Sequence, residues 1–199
     1  MNYCKITGDP ICKCKRKENK IVVNFDDFRL AMRRIFTDHA VYTSLLIMQS
    51  VPVLQQDADE IAARLLENPS HIRFLLEPFL GVEVGIKIEE AFTQHLKLAA
   101  SALEPVRLNR TRETQAAVNK LLEQGTLVGS LLGSINPLKF PENKAIEEFN
   151  THNNFVVKLA TLRSQGNYKE FISTYDIYFN HMMEMSDTIT VALIPNCVV

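Results

Sequence analysis

The chain of 199 residues is 46% hydrophobic and 23% charged, which is enough apolar material for a buried core and excludes wholesale disorder. Its formal net charge of −1 excludes a general attraction to nucleic acid, and we expect no sequence-specific nucleic-acid binding. Met1–Ile11 is too polar for a signal peptide, and no apolar run approaches the roughly 18 residues of a membrane span. The sequence therefore predicts an intracellular soluble protein.

Residues 1–24 are predicted to form an irregular, basic N-terminal arm. Within residues 1–20, six basic side chains oppose two acidic ones, which gives this stretch a charge of +4. Such a run is either a solvated tail or an arm that docks on an acidic surface, a phosphate or a neighbouring subunit. Together with the C-terminal tail, residues 194–199, it is the expected contact with partner proteins, including those of a large assembly.

Four cysteines lie near the two ends of the chain: Cys4, Cys12, Cys14 and Cys197. In a reducing compartment they are expected to be free thiols. They are also candidate zinc ligands, although the C-x2-C spacing of a zinc knuckle is missing. A disulfide between the two ends is the third alternative, open to a particle that matures outside the cell.

Residues 25–193 carry a helical pattern, in which apolar residues recur every three or four positions. The predicted helices cover about residues 25–50, 57–80, 85–103, 111–135, 142–163 and 168–192. Pro69 predicts a kink or brief break in the second helix, and Pro105 predicts the end of the third. Gly125, Gly129 and Gly133 follow one another at four-residue spacing, which predicts the close approach of another helix. Short loops between amphipathic helices predict an all-α fold, an up-and-down antiparallel bundle of about six helices.

The chain also contains an internal repeat. A shift of 56 residues places Phe36-Thr37-x-His39 on Phe92-Thr93-x-His95, and Leu65-Leu66-Glu67 on Leu121-Leu122-Glu123. The first two helices are therefore predicted to be duplicated as the third and fourth, so that the bundle is built from a repeated helical hairpin. A weaker third copy begins at Phe149-x-x-His152, and the last helix contains Tyr178-x-x-His181.

Because residues at i and i+3 share a helix face, these histidines are predicted to point inward or to lie at the edge of the core. One explanation is a metal site, in which His39, His95, His152 and His181 would hold zinc or another transition metal. A di-iron site is not expected, because the residue one turn before each histidine is aromatic where a carboxylate is needed. The other explanation is that each imidazole hydrogen-bonds a polar group across the bundle and fixes its register. The pattern leaves both explanations open.

Five segments within roughly residues 28–190 carry a resemblance to a known family. They are Asp38-His39-x-x-Tyr42-Thr43, Arg64-Leu65-Leu66-Glu67-Asn68-Pro69, Gln94-His95-Leu96-x-Leu98-Ala99-Ala100, Ser134-Ile135-Asn136-Pro137 and Met185-Ser186-Asp187. With them the chain resembles a small all-helical family of uncharacterised bacterial proteins, some of which carry an acetylglutamate kinase label. The resemblance implies the helical fold and little about activity. The chain departs from the bacterial pattern in having no Trp. The kinase label does not fit, because an amino-acid kinase needs an α/β sheet and glycine-rich phosphate loops.

The same resemblance extends to proteins of large DNA viruses, which implies a part in a virion. The first functional hypothesis is therefore a non-enzymatic structural or interaction protein, in its most concrete form a minor capsid or virion component. The second is a metal-binding helical bundle that uses the inward-facing histidines. No catalytic residue is predicted, and no cofactor other than a transition metal or zinc.

Overall fold

The computed structural model describes residues 25–49 and 57–193, and within them it contains helices and no strand, which confirms the predicted all-α fold class. The helices are α1 (Phe25–Met48), α2 (Ala58–Leu65), α3 (Asn68–Leu80), α4 (Val82–Arg107), α5 (Thr111–Ile135), α6 (Glu142–Ser164) and α7 (Tyr168–Leu193). None of these helices is long and apolar enough to cross a membrane. The predicted arm, residues 1–24, and the predicted tail, residues 194–199, lie outside the described residues.

The predicted second helix is divided, which makes seven helices from six predicted ones. α2 ends at Leu65 and α3 begins at Asn68, so the expected break is confirmed one turn from the proline that predicts it. Pro69 takes one of the first two positions of α3. A proline is tolerated there because the first N–H groups of a helix have no partner within it.

The predicted end of the third helix at Leu103 is wrong. α4 continues through Pro105 to Arg107, and it also begins three residues earlier than expected, at Val82. A proline removes only its own N–H from the ladder, and the ladder resumes when Leu108 donates to the Glu104 carbonyl at 2.9 Å. Close to a helix end, that single loss does not outweigh the burial of the last turn, where Val106 is 6% exposed.

Three helical hairpins make up the described chain: α1 with α2 and α3, α4 with α5, and α6 with α7. The third follows the second at a spacing of 57 residues, as His95 and His152 show. Equivalent positions are buried in all three copies; among them are Phe36, Phe92 and Phe149, then Leu65, Leu121 and Tyr178, then Leu76, Leu132 and Ile189. The predicted duplicate and the weaker third copy that begins at Phe149 thus share this pattern of burial.

Helices α1, α4 and α6 carry His39, His95 and His152, whose side chains meet inside the bundle. The second helix of each hairpin packs against the first helix of another hairpin, α3 on α4, α5 on α6 and α7 on α1, so the three hairpins close into a ring. Between α5 and α6 the contacts run in opposite sequence order, since Gly125 lies beside Asn153 and Gly133 beside Glu142. The up-and-down order of the whole bundle stays a prediction.

The ring is closed between α1 and α7 by a polar contact. Arg29 and Arg33, one turn apart on α1, each donate two hydrogen bonds to the Asp187 carboxylate, with their Nη2 atoms 2.8 and 2.6 Å from its Oδ2. These two hydrogen-bonded guanidinium groups hold the pKa of Asp187 well below its usual range. The first and third hairpins are thereby joined at the surface as well as in the core.

Candidate metal centre

Three of the four predicted histidines meet in the middle of the bundle. The ring centroid of His152 lies 5.4 Å from that of His39 and 5.4 Å from that of His95, and the last two are 6.4 Å apart. One ligand nitrogen of each lies within 4.8 Å of the others. The three side chains are 6%, 2% and 2% exposed in chain order, which confirms that they point inward.

The aromatic residue of each motif explains how the histidines are held. Phe36, Phe92 and Phe149 lie one turn before the three imidazoles and are buried against them. The rings of Phe92 and Phe149 pack edge to face with their centroids 5.5 Å apart, an arrangement that favours a fixed geometry. Each copy of the repeat thus contributes one phenyl ring and one imidazole, and all six side chains line the same cavity.

Two small cavities border the three imidazoles. The first, of about 10 Å³, is lined on the phenylalanine side, where Asn68, Met182 and Met185 also reach it. The second, of about 20 Å³, is lined by Thr43 and by aliphatic side chains. Each holds about one water-sized group, which suits a metal ion and its fourth ligand and leaves no room for an organic substrate. No aspartate or glutamate is among the described residues that line them.

Burial keeps the three imidazoles neutral. It lowers the pKa of His39 from 6.5 to about 4, against a hydrogen bond that the His39 N–H donates to the Asn68 side chain and that raises the pKa. It lowers the pKa of His95 to about 3, with a further decrease from the nearby His39. The pKa of His152 lies well below 6.5 for the same reasons, burial first and the other histidines second. A neutral imidazole offers the lone pair that a transition metal needs, so these side chains are ready to act as ligands at neutral pH.

Asn68 orients one of the three imidazoles. Its Nδ2 donates to the carbonyl of Ile35 at 2.8 Å, which leaves its amide oxygen to accept the N–H of His39. This hydrogen bond fixes the tautomer of His39, so that the other ring nitrogen carries the lone pair. Gln124 stands at the equivalent position of the second hairpin and donates to Ala91 at 3.1 Å in the same way.

The other two imidazoles each contain an unpaired polar atom. The Nδ1 atoms of His95 and His152 are buried and have no hydrogen-bond partner among the described residues. A buried nitrogen without a partner costs about 1–3 kcal/mol, which is why such atoms are rare in folded proteins. The prediction that each imidazole hydrogen-bonds a polar group across the bundle therefore fits His39, through Asn68, and leaves these two atoms unexplained.

His181 does not join this group of three. It lies on α7, at the repeat position that Asn68 and Gln124 occupy in the other hairpins, and so belongs to the second helix of its hairpin. Its ring packs on Phe155 at 5.5 Å, and its Nδ1 lies 3.8 Å from the carboxylate of Glu148. As a metal ligand it stays a prediction, as do Cys4, Cys12, Cys14 and Cys197, which lie outside the described residues.

Sequence reasoning did not single out Asn68 or the two methionines of the first cavity as parts of the site. Asn68 had a usable signal, because the 56-residue shift that aligns the histidines also aligns it with another carboxamide, Gln124. Met182 and Met185 had none, since their helical spacing is equally typical of core filler.

Replacing Asn68 with leucine, which has the same branched arrangement of heavy atoms and no polar atom, should weaken metal binding by roughly 10- to 100-fold, the usual effect of removing the hydrogen-bond partner of a ligating histidine. The reason is that His39 would lose the acceptor that fixes its tautomer. Titration of the purified variant with zinc against a competing chelator measures the change. The exposed Asn143 provides the control, and its replacement with leucine should leave the affinity unchanged. Equal affinities for the two variants would show that Asn68 does not orient a ligand.

No protein family, curated protein or solved structure was found to match the chain. The interpretation of the protein as a virion or capsid component accordingly stays a prediction. It rests on the sequence resemblance and on an arm and a tail outside the described residues.

Proposed function

We propose that this protein is a metal-binding helical bundle in which His39, His95 and His152 hold one transition-metal ion at the centre of the three hairpins. The observation that carries the proposal is the convergence of three buried, neutral imidazoles whose ligand nitrogens lie within 4.8 Å of one another. Two of them contain a buried Nδ1 without a hydrogen-bond partner among the described residues. A bound cation would accept the lone pairs of imidazole nitrogens that have no hydrogen-bond partner among the described residues.

The distances suit such an ion. Metal–nitrogen bonds of about 2.0–2.1 Å place the nitrogens of a trigonal or tetrahedral site roughly 3.3–3.6 Å apart. The present spacing is at most 4.8 Å, so each pair of nitrogens would have to approach by no more than about 1.5 Å to reach that value. The adjoining cavities of about 10 and 20 Å³ give the rings room to turn.

The role that we propose for the ion is structural. Each hairpin supplies one ligand, so a single ion would link all three repeats at the level where their inner helices meet. Because an ion that binds only the folded state stabilises it by mass action, the apparent stability would rise with metal concentration, by about 4 kcal/mol at a thousandfold excess over the dissociation constant. A rigid bundle of this kind also suits a structural or interaction protein, in which the bound ion would supply stability that a larger hydrophobic core would otherwise provide.

The test is elemental analysis of the purified full-length protein. We expect one transition-metal ion per chain after exposure to zinc. Replacing His95 with alanine should lower the metal affinity by more than the roughly 10- to 100-fold expected for Asn68→Leu, because it removes a ligand itself. The matched control is His71→Ala, since His71 lies outside the group of three. Circular dichroism of both variants would verify that they remain helical. A metal-free wild-type protein after this treatment would refute the proposal.

A further inference from the structure

The identity of the ion follows from the charges around the site. The three ligands are neutral, and the described residues that line the two adjoining cavities include no aspartate or glutamate and no lysine or arginine. A divalent cation held there would keep its full double charge in an apolar, buried setting. Proteins normally offset such a charge with carboxylate or thiolate ligands, as structural zinc sites do.

A monovalent cation meets a much smaller penalty in the same place. The Born cost of taking an ion out of water grows with the square of its charge, so a single charge costs about a quarter of a double charge at equal radius. The charge balance of the site therefore favours a monovalent ion that binds nitrogen strongly. Among biological transition metals, Cu⁺ is that ion.

A thioether, a kind of ligand that Cu⁺ prefers, also lies beside the three imidazoles. Soft thioether sulfur selects Cu⁺ over the harder divalent ions, and methionine is flexible enough to bring its sulfur to an irregular site. Met182 and Met185 line the first cavity together with the three histidines, and each is 2% exposed. They lie on the same helix, α7, one turn apart, and both border the cavity that the three imidazoles also line.

We propose that the three-histidine centre takes a soft monovalent cation, Cu⁺, with the thioether of Met182 or Met185 as an additional ligand. This inference rests on the proposed metal-binding function and narrows it to one class of ion. Zinc would still bind, with three neutral nitrogens and an uncompensated charge, and it would bind more weakly than Cu⁺. The preference for Cu⁺ over Zn²⁺ depends on the charge of the residues that line the site, so a change in that charge should change the ratio of the two affinities.

The experiment measures Cu⁺ and Zn²⁺ affinities by chelator competition, without oxygen, in full-length protein. All measurements use a background in which the four cysteines are replaced with serine, because thiolates would capture Cu⁺ elsewhere. We expect one Cu⁺ per chain, bound more tightly than Zn²⁺. Replacing both methionines with leucine should lower the Cu⁺ affinity by at least about tenfold and leave the Zn²⁺ affinity unchanged, because only Cu⁺ gains from the sulfur.

A second variant tests the charge argument separately. Thr43 lines the second cavity beside the histidines. In Thr43→Asp the added carboxylate should raise the Zn²⁺ affinity relative to that of Cu⁺ by at least about tenfold, because opposite charges attract more strongly at low dielectric and the divalent ion gains more. Thr43→Val is the control of equal size and should leave the ratio unchanged.

The outcomes distinguish a wrong assignment of the ion from a failure of the proposed metal-binding function. Tighter binding of Zn²⁺ than Cu⁺, or a Cu⁺ affinity that does not change when both methionines are replaced, would overturn the assignment of the ion and leave the metal-binding function standing. If the background protein binds neither ion while retaining its helical circular dichroism, the proposed function fails and the assignment fails with it.

Discussion

Acidifying the metal-free protein from pH 6.5 to pH 4 is expected to lower its free energy of unfolding by several kcal/mol. The pKa of His39 falls from 6.5 to about 4 on folding and that of His95 to about 3, in both cases because burial disfavours the charged form. Below pH 6.5 the unfolded chain therefore binds more protons than the folded chain. The free energy of unfolding accordingly rises with pH and decreases as the pH falls. At 1.36 kcal/mol per pKa unit, each histidine contributes about 3 kcal/mol to the loss by pH 4.

The measurement is a series of urea unfolding curves between pH 7 and pH 4, with the metal removed by a chelator. The expected loss compares with a total stability of about 5–15 kcal/mol for a typical domain, so acid unfolding near pH 4 to 5 is the anticipated result. His152, whose pKa is lowered in the same direction, adds to the effect. Carboxylates have reference pKa values of about 3.9 to 4.3 and contribute mainly below pH 5, so the interval from pH 6.5 to pH 5 reports on the histidines.

The control is a variant in which the three histidines are replaced with phenylalanine, whose ring is of similar size. If this variant folds, the urea midpoint of its unfolding should change little between pH 6.5 and pH 5. The midpoint of His71→Ala should depend on pH as that of the wild type does. A wild-type midpoint that does not change across this window would contradict the burial of neutral imidazoles.

Replacing Gly129 with alanine should destabilise the protein by about 3 kcal/mol, at the upper end of the usual cost of overpacking a core. α5 and α6 approach each other so closely that a methyl group at this position would lie 2.6 Å from the backbone nitrogen and Cα of Ile146. Because the obstructing atoms are backbone, the whole of α6 would have to shift, and with it His152. Equilibrium unfolding in urea measures the change in stability.

Gly85 provides the matched control for this prediction. It is also a buried helical glycine, and a methyl group there would meet the side chains of Arg73 and Glu77 at 3.3 Å. The nearest atoms, Arg73 Cγ and Glu77 Cβ, would have to move by only a few tenths of an ångström, and alanine favours a helix by about 1 kcal/mol over glycine. Gly85→Ala should therefore change the stability by less than about 1 kcal/mol. A similar loss at both positions would show that the close approach of α5 and α6 is not what the glycines permit.

Much of the fold could be predicted because its causes are local. Helical spacing of apolar residues gave the helices within a few residues, and Pro69 marked the break between α2 and α3. Pro105 misled the prediction for α4, since a proline in the last turn removes one hydrogen bond and leaves the burial of its neighbours unchanged. The spacing of Gly125, Gly129 and Gly133 predicted a close helix contact, and α6 provides it.

The candidate site could be predicted only in part. The motif itself identified His39, His95 and His152 as inward-facing, because an aromatic residue one turn before each fixes which side of the helix is buried. His181 carries the same motif after Tyr178 and points to a different environment. A motif read along one helix gives the face of that helix and carries no information on which other helix the face meets.

By itself, then, the amino-acid sequence predicted that the chain is helical, that it repeats a hairpin, and that the four histidines of the motif point inward or lie at the edge of the core. The tertiary structure alone decided that His39, His95 and His152 converge, with one ring nitrogen of each within 4.8 Å of the others. It also decided that Asn68 and two methionines join them, and that no carboxylate is among the described residues that line the cavities beside them. The physical reason lies in the range of the interactions involved. Helix formation and amphipathic spacing depend on residues three or four positions apart, whereas the site depends on contacts between hairpins more than 50 residues apart, which only the closure of the ring brings together.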